Sequence, residues 1–245
     1  SVNARESTMN EQLQFSDADR IPLRPCEVVD IGLCSYAKAY DFQKKLVRSK
    51  TQGALGDTLI LVEHFPVLTL GRRGRREHIR VTTEYLRSLG IEVIDVDRGG
   101  DVTYHGPGQL VGYPILDLRT RRRDINWILR SIESALIGSL KEFGVEAGVE
   151  PGLTGVWVNG AKIAAIGIGI SHWVTYHGFA LNVAPDMNHF NLIVPCGIRH
   201  KPVTSMQEAL GKAPRMEEVK EAVVSHFCRA FDLRPFKLDF SPSNG

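Results

Sequence analysis

The sequence lacks several features that define other classes of protein. None of its apolar runs approaches the ~18 residues of a membrane-spanning helix, so we expect no membrane partner. Its formal net charge is only +2, from 30 Lys and Arg against 28 Asp and Glu. The excess of positive charge that would predict a nucleic-acid partner is therefore missing, and we expect none.

Cysteine is scarce, and its spacing excludes several kinds of site. The four cysteines form no C-x-x-C pair and no His/Cys pattern typical of a metal site. Free thiols are expected in a reducing compartment, so we predict a cytoplasmic protein with no metal and no disulfide scaffold. The phosphate-binding pattern G-x-x-x-x-G-K-[S/T] is also missing, and we predict no cofactor.

The two ends of the chain differ in composition from its middle. Acidic and basic side chains are mixed in the first 25 residues, which lack the apolar core of a signal peptide. We interpret residues 1–25 as a disordered polar tail, residues 26–233 as one catalytic domain and residues 234–245 as a C-terminal tail. A hydrophobic content of 43% is sufficient for one substantial core at this length.

Strand-like and helix-like segments follow one another in the order β-α-β-β-α-β-β-α, before a hairpin-rich sheet and further helices. The clearest helix begins at Asp124, and its apolar residues recur at steps of three and four up to Gly144. Asn159-Gly160 lies between two strand-like runs and predicts a β-hairpin. We therefore predict an α/β protein, with a single domain built on a mixed β-sheet with flanking helices.

A glycine-rich segment from Arg98 to Gln109 lies between two of the strand-like runs. Its four glycines and one proline disfavour a regular helix or strand, so we expect an irregular bend. Such a bend lets backbone N–H groups approach a ligand closely, and it also supplies Arg98, Tyr104 and His105. A surface hairpin loop is the alternative, but the density of polar chemistry favours a binding site.

Two side chains have surroundings that suit catalysis. Cys196 lies between a proline and a glycine in an irregular segment, where amide N–H groups could stabilise a thiolate or an oxyanion. Lys162 directly follows the predicted hairpin turn among small apolar residues. Buried there it would have a lowered pKa and could act as a base, whereas at the sheet edge it would extend to water. The histidines that could serve as the base instead are His105, His177, His189 and His200.

Two basic clusters could bind an acidic partner. The first covers residues 72–76 and the second covers residues 119–123. Local clusters of this kind favour association with acidic proteins even when the whole chain is nearly neutral. Solvated loops that only aid solubility are the alternative interpretation.

Four separated motifs together resemble the octanoyl/lipoyl transferases of lipoate biosynthesis. The motifs are Arg98–Gln109, Lys162–Gly167, Gly178-Phe179-Ala180-Leu181-Asn182 and Pro195-Cys196-Gly197. They occur in this order and at about these separations, and the similarity covers roughly residues 27–231. Four motifs that match together are far more specific than any one of them.

The resemblance implies the α/β catalytic-domain fold shared by biotin and lipoate protein ligases, and an acyltransferase activity. An octanoyl or lipoyl group would move from acyl carrier protein to a lysine of a lipoyl domain, in 2-oxoacid dehydrogenases and in the glycine cleavage H protein. By position, Cys196 corresponds to the acyl-thioester nucleophile and Lys162 to the residue that lowers the pKa of that thiol. The corresponding substrate-binding residues are Arg98, Gly99, Gly100, Asp101, Val102, Thr103, Tyr104, His105, Ala165, Ile166, Gly167, Gly178, Phe179 and Ala180.

Two other functions are compatible with parts of this pattern. An ATP-dependent lipoate or biotin ligase on the same fold would need no cysteine nucleophile, so Cys196 favours the transferase. A domain that binds acyl groups without reacting would need neither the thiol nor the base. Exchange of one thioester for another is close to isoenergetic, so the transferase reaction needs no ATP.

Overall fold

The computed structural model describes residues 22–194 and 201–237, which contain two β-sheets. The larger sheet consists of β1 (Arg24–Cys34), β2 (Asp57–His64), β6 (Gln109–Ile115), β7 (Val156–Val158), β8 (Ala161–Ser171), β9 (Val174–Asn182) and β10 (Leu233–Lys237). Their order in space is β10-β1-β2-β6-β9-β8-β7. β1 pairs in parallel with β10 and β2, whereas the other neighbours are antiparallel. The predicted α/β domain with a mixed sheet is confirmed.

A smaller sheet adds to the predicted architecture. It consists of β3 (Val67–Leu70), β4 (Glu92–Asp95) and β5 (Val102–His105), in the order β4-β3-β5. The expectation of an irregular bend throughout residues 98–109 is wrong for β5. The glycines lie outside these four residues, whose valine, threonine and tyrosine favour extended structure.

The five α-helices in the described ranges are α1 (Tyr36–Thr51), α2 (Thr83–Ser88), α3 (Ile125–Glu142), α4 (Met206–Leu210) and α5 (Met216–Ala230). Asp124 begins α3 as predicted, because its carboxylate accepts the Trp127 N–H at 3.1 Å. Such a cap contributes about 1 kcal/mol. None of these helices is both long enough and apolar enough to cross a membrane.

Helices cover both faces of the larger sheet. α3 and α5 pack on one face, and α1 packs on the other. Ile128, Ile132, Leu136 and Leu140 of α3 are almost fully buried, and each contributes about 1.5–3 kcal/mol through burial. Replacing Ile132 with alanine would cost roughly 2–5 kcal/mol. This packing provides a rigid support for the strands that bear the candidate site.

The ends of the sheet extend beyond the predicted domain boundaries. β1 begins at Arg24 and β10 continues to Lys237, whereas the domain was predicted over residues 26–233. Pro25 pairs with Arg234 and Cys26 with Pro235, so both boundary segments belong to the sheet. The remaining parts of the predicted tails, residues 1–21 and 238–245, lie outside the described residues.

Arginines of the second basic cluster form ion pairs within the fold. Arg121 donates to Asp57 at 2.6 Å, and Lys50 contacts the same buried carboxylate at 2.9 Å. Arg119 pairs with Asp117 at 2.8 Å. A buried charge that loses its partner costs about 3–5 kcal/mol, so this cluster stabilises the fold.

The predicted hairpin is confirmed between β7 and β8. Asn159 has φ 49° and Gly160 has φ 78°, which is the left-handed pair that a tight two-residue turn requires. Val158 pairs with Ala161 directly across this turn. The turn therefore fixes the register of β8, the strand that contains Lys162.

Candidate active site

Arg98 attaches the glycine-rich segment to the smaller sheet. Its guanidinium donates to the carbonyl oxygens of Thr69 and Asp101, each at 2.8 Å, and to that of Gly99 at 2.9 Å. These charge-assisted bonds hold a side chain that is only 8% exposed. A Cβ at Gly71 would lie 2.4 Å from the Gly100 oxygen, so the two backbones approach as closely as only glycine allows.

Small residues on β8 and β9 form the facing wall. Gly167 pairs with Gly178, and Ala165 pairs with Ala180. A Cβ at Gly167 would lie 2.8 Å from the Gly99 oxygen, so this wall touches the glycine-rich segment. The small side chains leave space on the rest of the wall.

A cavity of about 690 Å³ lies between the glycine-rich segment and this wall. That volume is typical of a small-molecule site. The predicted site residues that line it are Arg98, Gly99, Gly100, Asp101, Val102, Thr103, His105, Lys162, Ala165, Ile166, Gly167, Gly178, Phe179 and Ala180. The cavity therefore unites three motifs that are far apart in the sequence.

Two of the predicted site residues are not among this lining. The Tyr104 ring is buried in the core of the smaller sheet, and its hydroxyl lies 2.8 Å from His189 Nδ1. Its neighbours Thr103 and His105 line the cavity, since successive strand residues point to opposite faces. Cys196 lies outside the described residues.

Lys162 lies on the cavity wall, close to an indole ring. Its Nζ is 4.8 Å from the centre of the Trp157 ring, a cation–π distance. The side chain is half-buried, between the two environments considered from the sequence. Its backbone N–H donates to the Pro202 oxygen at 2.8 Å, and its carbonyl accepts the Thr204 N–H at 2.9 Å.

The described chain on both sides of residues 195–200 is attached to the cavity wall. Before this segment, the Val194 N–H donates to the His78 oxygen at 2.8 Å. After it, Pro202 bonds to Lys162. Because His78 and Lys162 both line the cavity, Val194 and Pro202 lie beside the candidate site.

No local pattern in the sequence indicates that aromatic and imidazole rings form a cluster at the cavity. Tyr36, Tyr113 and His177 line the cavity together with His105. The Tyr36 ring stacks on His105 with centres 5.9 Å apart, and His64 Nε2 lies 2.7 Å from the Tyr113 hydroxyl. Tyr36, Tyr113 and His177 belong to three separate segments of the sequence, so only the folded structure shows that they converge.

The imidazoles of this cluster are neutral at physiological pH. Burial lowers the pKa of His105 to about 3, and lowers the pKa of His64 and of His177 to about 4. Burial also raises the pKa of the Tyr36 phenol above its ordinary value. These groups can therefore orient a ligand through hydrogen bonds without placing charge beside it.

The first arginine cluster lies at the cavity opening. Arg73 and Arg75 are exposed and line the cavity, and the Arg73 N–H donates to the Gly100 oxygen at 3.0 Å. His78 Nδ1 lies 2.6 Å from Asp101 Oδ2, although the geometry is not that of a straight hydrogen bond. Within residues 22–194 and 201–237, no group of three His, Cys, Asp or Glu side chains could hold a metal ion.

Comparison with known proteins identifies close relatives across most of the chain. Residues 35–228 match the model of the lipoyl protein ligase A/B catalytic domain. An octanoyltransferase of Solibacter usitatus is 51% identical over 211 residues, which are 86% of this chain and 95% of that protein. An octanoyltransferase of Chloroflexus aggregans is 47% identical over 216 residues, which are 87% of this chain and 98% of that protein.

Solved structures with the same fold include ligases. A lipoate-protein ligase A with bound ATP superposes with a TM-score of 0.67 at 15% identity, covering 90% of each chain. A bi-partite lipoate protein ligase from Thermoplasma acidophilum gives 0.67 at 17% identity, covering 89% of this chain and 88% of the other. Identity at this level establishes the fold alone.

Proposed function

Because the chain belongs to the lipoyl protein ligase A/B catalytic-domain family, we propose that it is an octanoyltransferase. It transfers an octanoyl or lipoyl group from acyl carrier protein to a lysine of a lipoyl domain. The observation that supports this activity most strongly is the 47–51% identity to octanoyltransferases over nearly their whole length. The ligases share the fold at only 15–17% identity, so the fold does not distinguish the two activities.

The proposed first half-reaction forms a thioester on Cys196. Neutral Lys162 takes the thiol proton, and the thiolate attacks the carbonyl carbon of the octanoyl thioester. The carbon–sulfur bond to the carrier then breaks, and the carrier thiolate takes a proton from the Lys162 ammonium. Val194 and Pro202 bond to His78 and Lys162, two residues that line the cavity, and this supports the proposed role of Cys196.

The proposed second half-reaction transfers the acyl group to nitrogen. The amine of the acceptor lysine attacks the Cys196 thioester, and Lys162 takes the proton that this nitrogen loses. The carbon–sulfur bond breaks, and the Cys196 thiolate recovers that proton from Lys162. No energy input beyond the thioester is needed, so neither ATP nor a cofactor takes part.

We propose that the small residues of β8 and β9 accommodate the acyl chain. Ala165, Gly167, Gly178 and Ala180 line one wall, and the aliphatic Ile166 extends the apolar surface. The partners would be octanoyl-acyl carrier protein as the donor and lipoyl domains, including the H protein, as acceptors. A cytoplasmic location is supported by the free thiols of Cys26, Cys34 and Cys228 in the described part of the chain.

The test compares two acyl donors on the full chain. Octanoyl-acyl carrier protein without ATP should increase the mass of an unmodified lipoyl domain by one octanoyl group. Free octanoate with ATP should give no product. Transfer from octanoate and ATP, with none from the carrier, would instead identify a ligase of the kind that shares the fold.

A further inference from the structure

His177 has a backbone conformation that is unusual for its position. It lies within β9, is only 1% exposed and has φ 55°. Residues other than glycine rarely adopt this left-handed conformation inside a strand. Its backbone N–H donates to Oε1 of the buried Gln43 at 2.7 Å, so α1 supports the conformation directly. Backbone strain of this kind is a reason to look for a function.

The His177 ring connects the cavity to a carboxylate. Nε2 lies 2.9 Å from Asp97 Oδ1, and Nδ1 lies 3.3 Å from the Tyr36 hydroxyl. Burial lowers the pKa of His177 to about 4 even though Asp97 opposes that change, so the ring has one N–H near neutral pH. That N–H is donated from Nε2 to Asp97, and Nδ1 accepts the Tyr36 O–H.

Asp97 is the centre of a wider hydrogen-bond network. The hydroxyls of Tyr40 and Tyr176 each donate to it at 2.6 Å, in addition to the bond from His177. Partial burial alone would raise the pKa of Asp97, but these three donors hold it well below its ordinary value. A charged carboxylate can accept all three bonds, which an amide in its place cannot do.

The network is adjacent to both candidate binding segments. Asp97 directly precedes Arg98 in the chain, and His177 directly precedes Gly178. Tyr36 and His177 line the cavity, whereas Asp97 is not among its lining residues. A change at Asp97 could therefore affect a bound acyl group only through its neighbours.

We propose that Asp97 and His177 are positioning residues for the acyl substrate, which act by fixing the Tyr36 hydroxyl and the two adjoining glycine segments. The inference rests on the proposed octanoyl transfer. The Tyr36 O–H donates to His177, and this bond holds the hydroxyl at the cavity wall in one orientation. The pair also fixes the separation between Arg98 and Gly178, on the two sides of the cavity.

The experiment is a double-mutant cycle of Asp97→Ala and Tyr36→Phe in the full chain. Each variant should lower kcat/KM for transfer from octanoyl-carrier, on the order of tenfold to a hundredfold, as expected when a bound group is displaced slightly. The double variant should lose no more than the worse single variant, because both changes disrupt one unit. Iodoacetamide should alkylate Cys196 at the wild-type rate in all three, since the thiol itself is unaltered.

Two variants of positive-φ histidines complete the test. His177→Asn retains a carbonyl that can accept from Tyr36 and tolerates the positive φ, so it should transfer faster than His177→Ala. His172→Asn is the matched control, because His172 has φ 50° at the exposed turn between β8 and β9, away from the cavity. It should transfer at the wild-type rate.

Several results would overturn the inference. These are wild-type transfer by Asp97→Ala, additive losses in the double variant, or a parallel loss of Cys196 alkylation. Melting temperatures identify a variant that is merely less folded, and transfer by such a variant is compared with wild type at a temperature at which both are folded. Failure of the wild-type protein to transfer an octanoyl group from the carrier would contradict the proposed function instead.

Discussion

The two ends of the candidate cavity differ in chemistry. The histidine end is formed by Tyr36, Arg98, His105 and His177, and these side chains are all less than 9% exposed. The lysine end contains Lys162, whose Nζ lies 4.8 Å from the centre of the Trp157 ring. Ile168, which pairs with His177, is six residues along β8 from Lys162, a separation of roughly 20 Å.

The ends also differ in how their side chains are held. At the histidine end, buried hydrogen bonds fix Arg98 and the imidazoles in place. At the lysine end, Lys162 is half-buried. Preorganised groups suit binding, whereas a proton carrier needs access to two successive substrates. We therefore expect substitutions at the lysine end to affect the reaction, and those at the histidine end to affect affinity and stability.

The largest effect is expected from Lys162→Ala. Loss of a general base should slow both half-reactions by about 10²- to 10⁴-fold and should slow alkylation of Cys196 at neutral pH. Lys162→Arg should not restore the second half-reaction, because a guanidinium stays protonated. The measurement is single-turnover acylation and transfer, with alkylation followed against pH. Normal turnover by Lys162→Ala would show that Lys162 is not the base.

Gly178→Ala tests the histidine end. The new Cβ would lie 2.0 Å from the Gly112 oxygen, so we expect the free energy of unfolding to fall by about 1–3 kcal/mol or more. We also expect KM for the octanoyl donor to rise. The matched control is Gly148→Ala, whose added Cβ meets no atom within 4 Å. Urea unfolding checks the prediction, and equal stability of the two variants would contradict the packing of this wall.

The buried imidazoles predict a dependence of stability on pH. The pKa values of His64, His105 and His177 are about 4, 3 and 4 in the folded protein, below the ordinary 6.5. The unfolded chain therefore binds more protons between pH 6.5 and 4, and stability present above pH 6.5 is lost as the pH falls. Each histidine contributes up to about 1.4 kcal/mol per pH unit in this window.

Urea unfolding at several pH values measures this slope. His172→Gln, at an exposed turn, should leave the slope unchanged. A free energy of unfolding that stayed constant from pH 6.5 to pH 4.5 would contradict neutral buried imidazoles at the histidine end.

The smallest effect is expected at the cavity opening. Arg73→Ala together with Arg75→Ala should raise KM for the acidic carrier several-fold and weaken its dependence on salt. Activity with a small octanoyl thioester should hardly change. Arg123→Ala, from the second basic cluster, is the control. Equal losses on both donors would mean that residues 72–76 support the structure rather than bind the carrier.

The two arginine clusters have different environments, which their local sequences do not distinguish. Both are dense in charge, but Arg121 forms a buried ion pair with Asp57, whereas Arg73 is exposed at the cavity. Arg121 and Asp57 are 64 residues apart in the sequence. Local composition therefore predicted the clusters but not their different environments.

Local patterns predicted the fold better than they predicted the histidine end. The cap at Asp124 and the turn at Asn159-Gly160 are determined by residues a few positions apart, and both are confirmed. Tyr36 and His177 meet across 141 residues, and no local pattern indicates such a contact. The positive φ of His177 likewise depends on tertiary contacts, among them the bond from its backbone N–H to Gln43.

In the proposed mechanism, the acyl group passes through a thioester on Cys196. The most direct test is to mix the protein with octanoyl-acyl carrier protein, quench with acid and map the modified peptide by mass. We predict one octanoyl group on Cys196 without ATP, its removal by hydroxylamine and its absence from Cys196→Ala. Undiminished transfer to a lipoyl domain by Cys196→Ala, with no adduct on the wild-type protein, would contradict the account.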